Sequence, residues 1–166
     1  MRSWIGIGCL LAAALAAVFT SSRRLVLEIV QANTGQVVLC ADMADGEEFV
    51  ISFVHSVNKR PVFDTLRTTR DHLVIVKSRF DALGAGMPET STEQGTLRLG
   101  EDGWLEWTTN RPLPEVTVRI GRVAEHTVRL KGRSIPLKQL ADPGTPLAMR
   151  VHVRSRYAVW KGGCIR

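Results

Sequence analysis

The stretch RLVLEIVQANTGQVVLCA, residues 24–41, is the clearest indication of the fold in this sequence. Its apolar residues alternate along the chain, which places Leu25, Leu27 and Ile29 on one face of a predicted strand. The turn-forming sequence Asn-Thr-Gly at 33–35 separates this run from a second apolar run. Two such runs around a turn predict a β-hairpin.

The same alternation recurs along the rest of the chain. Further short runs, each ended by turn-forming or charged residues, are EEFVISFVHS, PVFDTLRTT, HLVIVKSRF, TLRL, WLEWTT, EVTVRIG, EHTVRLKG, RSIPLKQL and LAMRVHVRS. About ten short strands, with no convincing amphipathic helix among them, predict an all-β fold, either an antiparallel β-sandwich or a barrel. Because no repeat or linker interrupts the pattern, we expect a single β domain over residues 23–166.

An apolar segment precedes the predicted strands. Residues 4–19 carry no charge, follow Arg2 and lead to a basic pair at 23–24, an order typical of an export signal. The Ala-Leu-Ala sequence at 14–16 offers a cleavage site, whereas the uncut stretch is marginally long enough to span a bilayer. We expect residues 1–22 to be a signal peptide or a membrane anchor helix, and the protein to be periplasmic or anchored at the outer face of the cytoplasmic membrane.

Charge is distributed unevenly along the chain. Residues 111–166 hold 12 Lys or Arg and 3 Asp or Glu, a net charge of +9. Such a segment can contact anionic lipid or an anionic solute, although cations that alternate with apolar residues are also typical of the solvated face of strands. Aromatic residues are not interleaved with the cations, so we do not expect a nucleic-acid partner.

The first candidate site is FVHSVNKRPVFD, residues 53–64. If the strand continues through His55 and Ser56, the two side chains project to opposite faces and cannot form the hydrogen bond of a nucleophile and its base. We therefore expect no catalytic pair and no enzyme. His55 is expected at the rim of the core, either as a structural residue bonded to backbone or to a carboxylate such as Asp64, or as a donor to an anionic ligand.

The second candidate site is RFDALGAGMPE, residues 79–89. Gly84 and Gly86 can adopt positive φ, and alternating backbone conformations can form an anion-binding nest. Two glycines followed by Pro88 also carry a chain around the corner of a sheet, and the sequence favours this interpretation. A G-x-G sequence without a third glycine and a following helix is a weak phosphate signal.

Metal and disulfide chemistry have little support in the sequence. The four histidines have no short spacing and no C-x-x-C is present, so we expect no metal and no cofactor. Cys40 and Cys164 would be free to pair in an oxidising compartment. Because Cys40 lies inside the apolar run QVVLCA, a small buried apolar residue is the favoured interpretation.

The two candidate motifs together carry a resemblance. FVHSVNKRPVFDTLR and, shortly after it, SRFDALGAGMPE resemble a bacterial family of small exported proteins of unknown function, associated with the TAXI class of TRAP solute transporters. The resemblance implies an accessory protein near the membrane that binds a transporter permease, a solute-binding subunit or a small anionic solute; the alternative is a structural envelope module without a ligand. The residues that the resemblance implicates are His55, Ser56, Pro61, Gly84, Gly86 and Pro88, with Asp64 at a position where the family commonly has Glu.

Overall fold

The computed structural model describes residues 22–166, so the segment predicted to be a signal peptide or an anchor helix lies outside the described residues. Strands and turns dominate the described part of the chain. The strands are β1 (Arg23–Gln31), β2 (Val37–Met43), β3 (Glu48–Val54), β4 (Pro61–Thr68), β5 (Leu73–Phe80), β6 (Gly95–Leu99), β7 (Leu105–Leu113), β8 (Val116–Arg119), β9 (Thr127–Leu130), β10 (Arg133–Pro136) and β11 (Pro146–Ser155). A 3₁₀ turn (Leu137–Gln139) follows β10, and a short helix α1 (Arg156–Lys161) follows β11.

The strands form two sheets. The smaller sheet has the order β2-β1-β11-β8, and the larger has the order β10-β9-β3-β4-β5-β7-β6. Neighbouring strands in both sheets are antiparallel. The all-β antiparallel prediction is confirmed, and of its two alternatives the structure is the sandwich.

The core lies between the two sheets. Leu25, Leu27 and Ile29 are buried, which confirms the predicted inner face of β1. These side chains belong to one apolar cluster with Phe49 and Ile51 of β3, in the larger sheet. Removal of such side chains from water is the main favourable term in folding. Alternation in the sequence therefore grouped the core-facing residues of β1 correctly.

The C-terminal segment covers the outer face of the smaller sheet, a feature that the sequence did not predict. Val26 and Val30 on the outer face of β1 are as buried as the core, and α1 packs against β1 and β11. The hydroxyl of Ser155 accepts a hydrogen bond from the N–H of Ala158 and so caps the helix, and Val159 is its buried residue. A helix of six residues is too short to give a periodic signal. Neither α1 nor the 3₁₀ turn is long and apolar enough to cross a membrane.

A disulfide bond joins Cys40 and Cys164, and it corrects the expectation that Cys40 is a free buried residue. Cys40 lies directly opposite Glu28 in the ladder of β1 and β2, so its side chain projects from the outer face and not into the core. The chain after α1 crosses that face, and the backbone of Ile165 pairs with β2 beside Cys40. No local pattern in the sequence shows that the C-terminal segment returns to β2.

Candidate functional site

The two candidate motifs meet at one end of the larger sheet. β3 ends at Val54 and β4 begins at Pro61, so residues 55–60 form the connection between them. Val62 pairs with Phe80 at the end of β5, which brings the start of the loop 81–94 to the same edge. The order β3-β4-β5 therefore explains why the turn and the loop are adjacent although residues 61–80 separate them in the chain.

The first motif is a closed turn and not the continuation of β3. The N–H of His55 donates to the carbonyl of Arg60 at 2.8 Å, and the N–H of Lys59 donates to the carbonyl of His55 at 3.0 Å. Lys59 adopts a left-handed conformation with φ of 58°. The condition under which His55 and Ser56 would project to opposite faces of a strand is therefore not met, because β3 ends at Val54 and the chain then reverses.

The His55 ring is half-buried and its hydrogen-bond partner is backbone. The N–H of Val57 donates to His55 Nδ1 at 3.3 Å. In this arrangement the neutral ring carries its proton on Nε2, and Nε2 has no partner among residues 22–166. Ser56 is exposed, and its carbonyl, not its hydroxyl, accepts a hydrogen bond from Lys59 Nζ at 2.6 Å. His55 and Ser56 thus do not form a nucleophile and base, while the His55 ring keeps one donor for a partner.

Gly84 packs directly against the first motif. A Cβ atom at this position would lie 2.9 Å from Asn58 Nδ2 and 3.1 Å from His55 Cε1. Asn58 is held in place because its Nδ2 group donates to the carbonyls of Ala82 at 3.3 Å and Leu83 at 3.2 Å. Gly84 is therefore required by close approach, not by positive φ, and the contact fixes the two motifs against each other.

An ion pair makes a second connection between the motifs. Arg60 Nε lies 3.0 Å from Asp81 Oδ1, and Arg60 Nη2 also bonds to Asp81 Oδ2. The hydrogen bond from Arg60 holds the pKa of the Asp81 carboxyl below its usual value, and Asp81 raises the pKa of Arg60. This ion pair was not predicted from the sequence. The overlooked signal is that opposite charges lie just outside the two paired strands, immediately before Pro61 and immediately after Phe80.

Gly86 and Pro88 shape the second motif. The N–H of Met87 donates to the carbonyl of Gly84 at 3.0 Å, and Gly86 has φ of 81° as the third residue of this turn. Gly86 faces open space, so its conformation and not its size requires glycine. Pro88 is half-buried just after the turn. The structure agrees with the sheet-corner interpretation of this segment.

Asp64 lies inside β4 and not in the turn that contains His55. It pairs with Ile51 on one side and with Ser78 on the other, three positions along β4 from Pro61 or roughly 10 Å. The Ser78 hydroxyl donates to Asp64 Oδ1 at 2.6 Å, and burial raises the pKa of the Asp64 carboxyl. The structure therefore does not bring Asp64 to His55, and its partner is a serine of the neighbouring strand.

A third loop completes this end of the sheet. The N–H of Val54 donates to the carbonyl of Ala124 at 2.7 Å, which attaches the loop 120–126 to the end of β3. We refer to the turn 55–60, the loop 81–94 and the loop 120–126 as the loop end. Each of its three segments exposes a large apolar side chain, and these are Val57 (64% exposed), Leu83 (47%) and Val123 (77%).

The candidate residues of the loop end lie outside the two surface cavities of the larger sheet. Two surface cavities of about 520 and 560 Å³ lie on the outer face of the larger sheet, the first beside Arg129 and the second beside Arg79 and Trp104. None of the candidate residues lines either cavity. Within residues 22–166, no three His, Cys, Asp or Glu side chains are grouped so that they could hold a metal ion.

Comparison with known proteins gives one family. The model of a domain of unknown function, DUF1850, matches residues 49–137, a range that runs from β3 to the 3₁₀ turn and includes all the candidate residues. No curated protein and no solved structure matches the chain. The match covers more than half of the 166 residues. This chain therefore belongs to the DUF1850 family of domains of unknown function.

Proposed function

We propose that this protein is an exported accessory protein whose loop end binds another protein, and that this partner is a permease or solute-binding subunit of a TRAP-type (TAXI) transporter. The observation that carries the proposal is the exposure of Val57, Leu83 and Val123 on three loops at one end of the larger sheet. Hydrogen bonds join two of these loops to each other and the third to the end of β3. The choice of a transporter subunit rests on the family resemblance of the two motifs.

Rigid loops favour binding because little conformational freedom is lost when a partner is bound. Asn58 and Arg60 each join the first turn to the second loop, so the apolar side chains project from a fixed backbone. Apolar side chains on such a surface gain free energy when a protein partner removes them from water. The free Nε2–H of His55 supplies a directional contact beside them.

The shape of the loop end favours a protein over a small anionic solute. Small-molecule sites are concave and enclose most of their ligand. The candidate residues line neither of the two surface cavities. The disulfide between Cys40 and Cys164 supports export, because such bonds persist in oxidising compartments such as the bacterial periplasm.

A structural envelope module without a ligand is the second candidate, and one observation favours it. The polar groups that join the two motifs, among them Asn58 and Arg60, find their partners inside the protein. On this alternative the motifs only stabilise the end of the sheet. The exposed apolar residues bind no partner, so their replacement changes no binding.

The test is affinity capture of the full-length chain, tagged at its C-terminus, from gently solubilised membranes of its native host. We expect mass spectrometry to identify a transporter permease or solute-binding subunit with the wild type. The loop-end variant carrying Leu83→Glu and Val123→Glu should lose that subunit. Leu99→Glu is the matched control, because Leu99 is equally apolar and 71% exposed on the edge strand β6, two strands from β5 and outside the three segments of the loop end.

Thermal unfolding of all three proteins establishes that they are folded when captured. Recovery of no transporter subunit with the wild type would overturn the transporter role and favour the structural module. Equal recovery by the loop-end variant and the Leu99→Glu control would show that a transporter is bound through another surface.

A further inference from the structure

The C-terminal helix exposes two neighbouring aromatic side chains. Tyr157 is 44% exposed and Trp160 is 60% exposed, and their ring centroids are 6.1 Å apart. The opposite side of α1 holds Val159, which is buried against the smaller sheet. The aromatic pair is thus the outward face of a helix whose inward face is already occupied.

Several cations lie near this aromatic pair along the chain. Residues 143–166 contain five Lys or Arg and no Asp or Glu. Of these, Lys161 and Arg166 are exposed near the aromatic pair along the chain, and Arg156 begins the helix. Arg23 and Arg24, at the start of β1, pair with Ser155 and Arg154 at the end of β11. Two chain segments therefore bring positive charge to the same end of the smaller sheet, where Arg24 lies 4.0 Å from Asp42 and Arg154 bonds to Glu28.

The first described residue, Ser22, lies at this same end of the smaller sheet. The N–H of Arg156 donates to the carbonyl of Ser22 at 2.8 Å, so the start of α1 contacts the first described residue. The uncharged stretch 4–19 ends three residues before Ser22. Three residues of extended chain span at most about 11 Å. Wherever this stretch enters a membrane, the start of α1 is held close to it.

Contacts on both sides of α1 hold the helix in place. The disulfide and the pairing of Ile165 with β2 hold the chain after the helix. Before the helix, Arg154 Nη2 lies 2.8 Å from the buried carboxylate of Glu28. Because both ends are held, Tyr157 and Trp160 keep one orientation relative to the sheet.

We infer that Tyr157 and Trp160 of α1, with the cations around them, form the surface by which the folded domain lies on an anionic lipid membrane. Tyr and Trp are enriched at membrane interfaces because their rings are apolar and their polar tips remain hydrated. Lys and Arg beside them are attracted to anionic head groups. The inference rests on the proposed export, but it uses no residue of the loop end and needs no transporter.

The test is quenching of tryptophan fluorescence by brominated lipid. The full chain is synthesised in a cell-free system with vesicles of 70% phosphatidylcholine, brominated in its acyl chains, and 30% phosphatidylglycerol, so the apolar segment remains uncut. All variants carry Trp4→Phe, because Trp4 lies in that segment, which leaves three of the four tryptophans. We expect quenching of up to about one third of the emission, since one tryptophan in three contacts the lipid.

The variants Trp160→Phe and Trp104→Phe assign that quenching. Trp160→Phe should abolish it, whereas the control Trp104→Phe, which removes a half-buried ring of the larger sheet, should retain it. No quenching, or the same quenching after Trp160→Phe, would overturn the inference. Equal quenching in vesicles of phosphatidylcholine alone would overturn its anionic-lipid part. Capture of a transporter subunit does not enter this experiment, so failure here leaves the proposed partner binding unaffected.

Discussion

Replacement of Gly84 by Ala tests how the two motifs are joined. The added methyl group would lie 2.9 Å from Asn58 Nδ2, a distance at which the Asn58 side chain must move. Movement breaks its two hydrogen bonds to the carbonyls of Ala82 and Leu83. Two such bonds contribute about 1–3 kcal/mol together. The lower entropy of the unfolded alanine variant offsets about 0.4–1 kcal/mol of this. We expect the free energy of unfolding to fall by about 1–2 kcal/mol.

Urea unfolding of four proteins measures the effect and its cause. These are the wild type, Gly84→Ala, Asn58→Ala and the double variant. If the methyl group acts by displacing Asn58, Gly84→Ala should cost much less when Asn58 is already alanine, with a coupling energy of roughly 1 kcal/mol. Gly86→Ala is the matched control, because Gly86 faces open space and its cost of about 1–2 kcal/mol arises from its φ of 81°.

The control should therefore show no coupling to Asn58. A cost for Gly84→Ala that is the same with and without Asn58 would refute the reasoning, because the methyl group would then act on some other part of the structure. If Gly84→Ala had the same free energy of unfolding as the wild type, the reasoning would be refuted more directly. The loop 81–94 would then have moved away from Asn58 at no cost.

Two further predictions concern the sheets. The Cys40–Cys164 bond closes a loop with a sequence separation of 124, for which the chain-entropy relation gives a stabilisation of about 5 kcal/mol as an upper value. Reduction of the wild type should lower its free energy of urea unfolding by an amount approaching this value, and reduction of the control variant Cys40→Ser, Cys164→Ser should change nothing. An unchanged urea midpoint after reduction of the wild type would contradict the prediction. Because burial raises the folded-state pKa of Asp64 above its unfolded value, this group lowers stability as pH rises from about 4 through the raised pKa. Asn at this position can still accept a hydrogen bond from Ser78, so Asp64→Asn should abolish the decrease in the free energy of unfolding over this pH range. If the decrease persists in Asp64→Asn, another group causes it.

Much of the fold follows from the sequence because alternation is a local property. The run from Leu25 to Ile29 is a strand with the predicted core face, and the turn at 33–35 joins it to β2. Alternation gives faces but not neighbours. The order of strands in the larger sheet depends on which faces pack best over the whole chain, and no single run contains that information.

The candidate site was predicted only in part, because the sequence shows local features and not which loops are neighbours. Glycine, proline and histidine marked both motifs, whereas the residues that join them, Asn58, Arg60 and Asp81, are ordinary loop residues in the sequence. Their roles follow only from the pairing of Val62 with Phe80, which makes the two loops adjacent. Polar contacts between loops depend on strand register, so they cannot be read before the sheet is assembled.

The size of the loop end indicates how a partner would be held. The exposed fractions of Val57, Leu83 and Val123 together equal nearly two whole side chains. Full burial of two such side chains contributes roughly 3–6 kcal/mol, at or below the lower estimates of about 4–15 kcal/mol lost in translational and rotational freedom on association. These residues alone therefore hold a soluble partner only weakly. If α1 also confines the domain to the membrane surface, a membrane-embedded partner is met at a high effective concentration, and a small apolar contact becomes sufficient. The two proposals thus support each other energetically, although each has its own test.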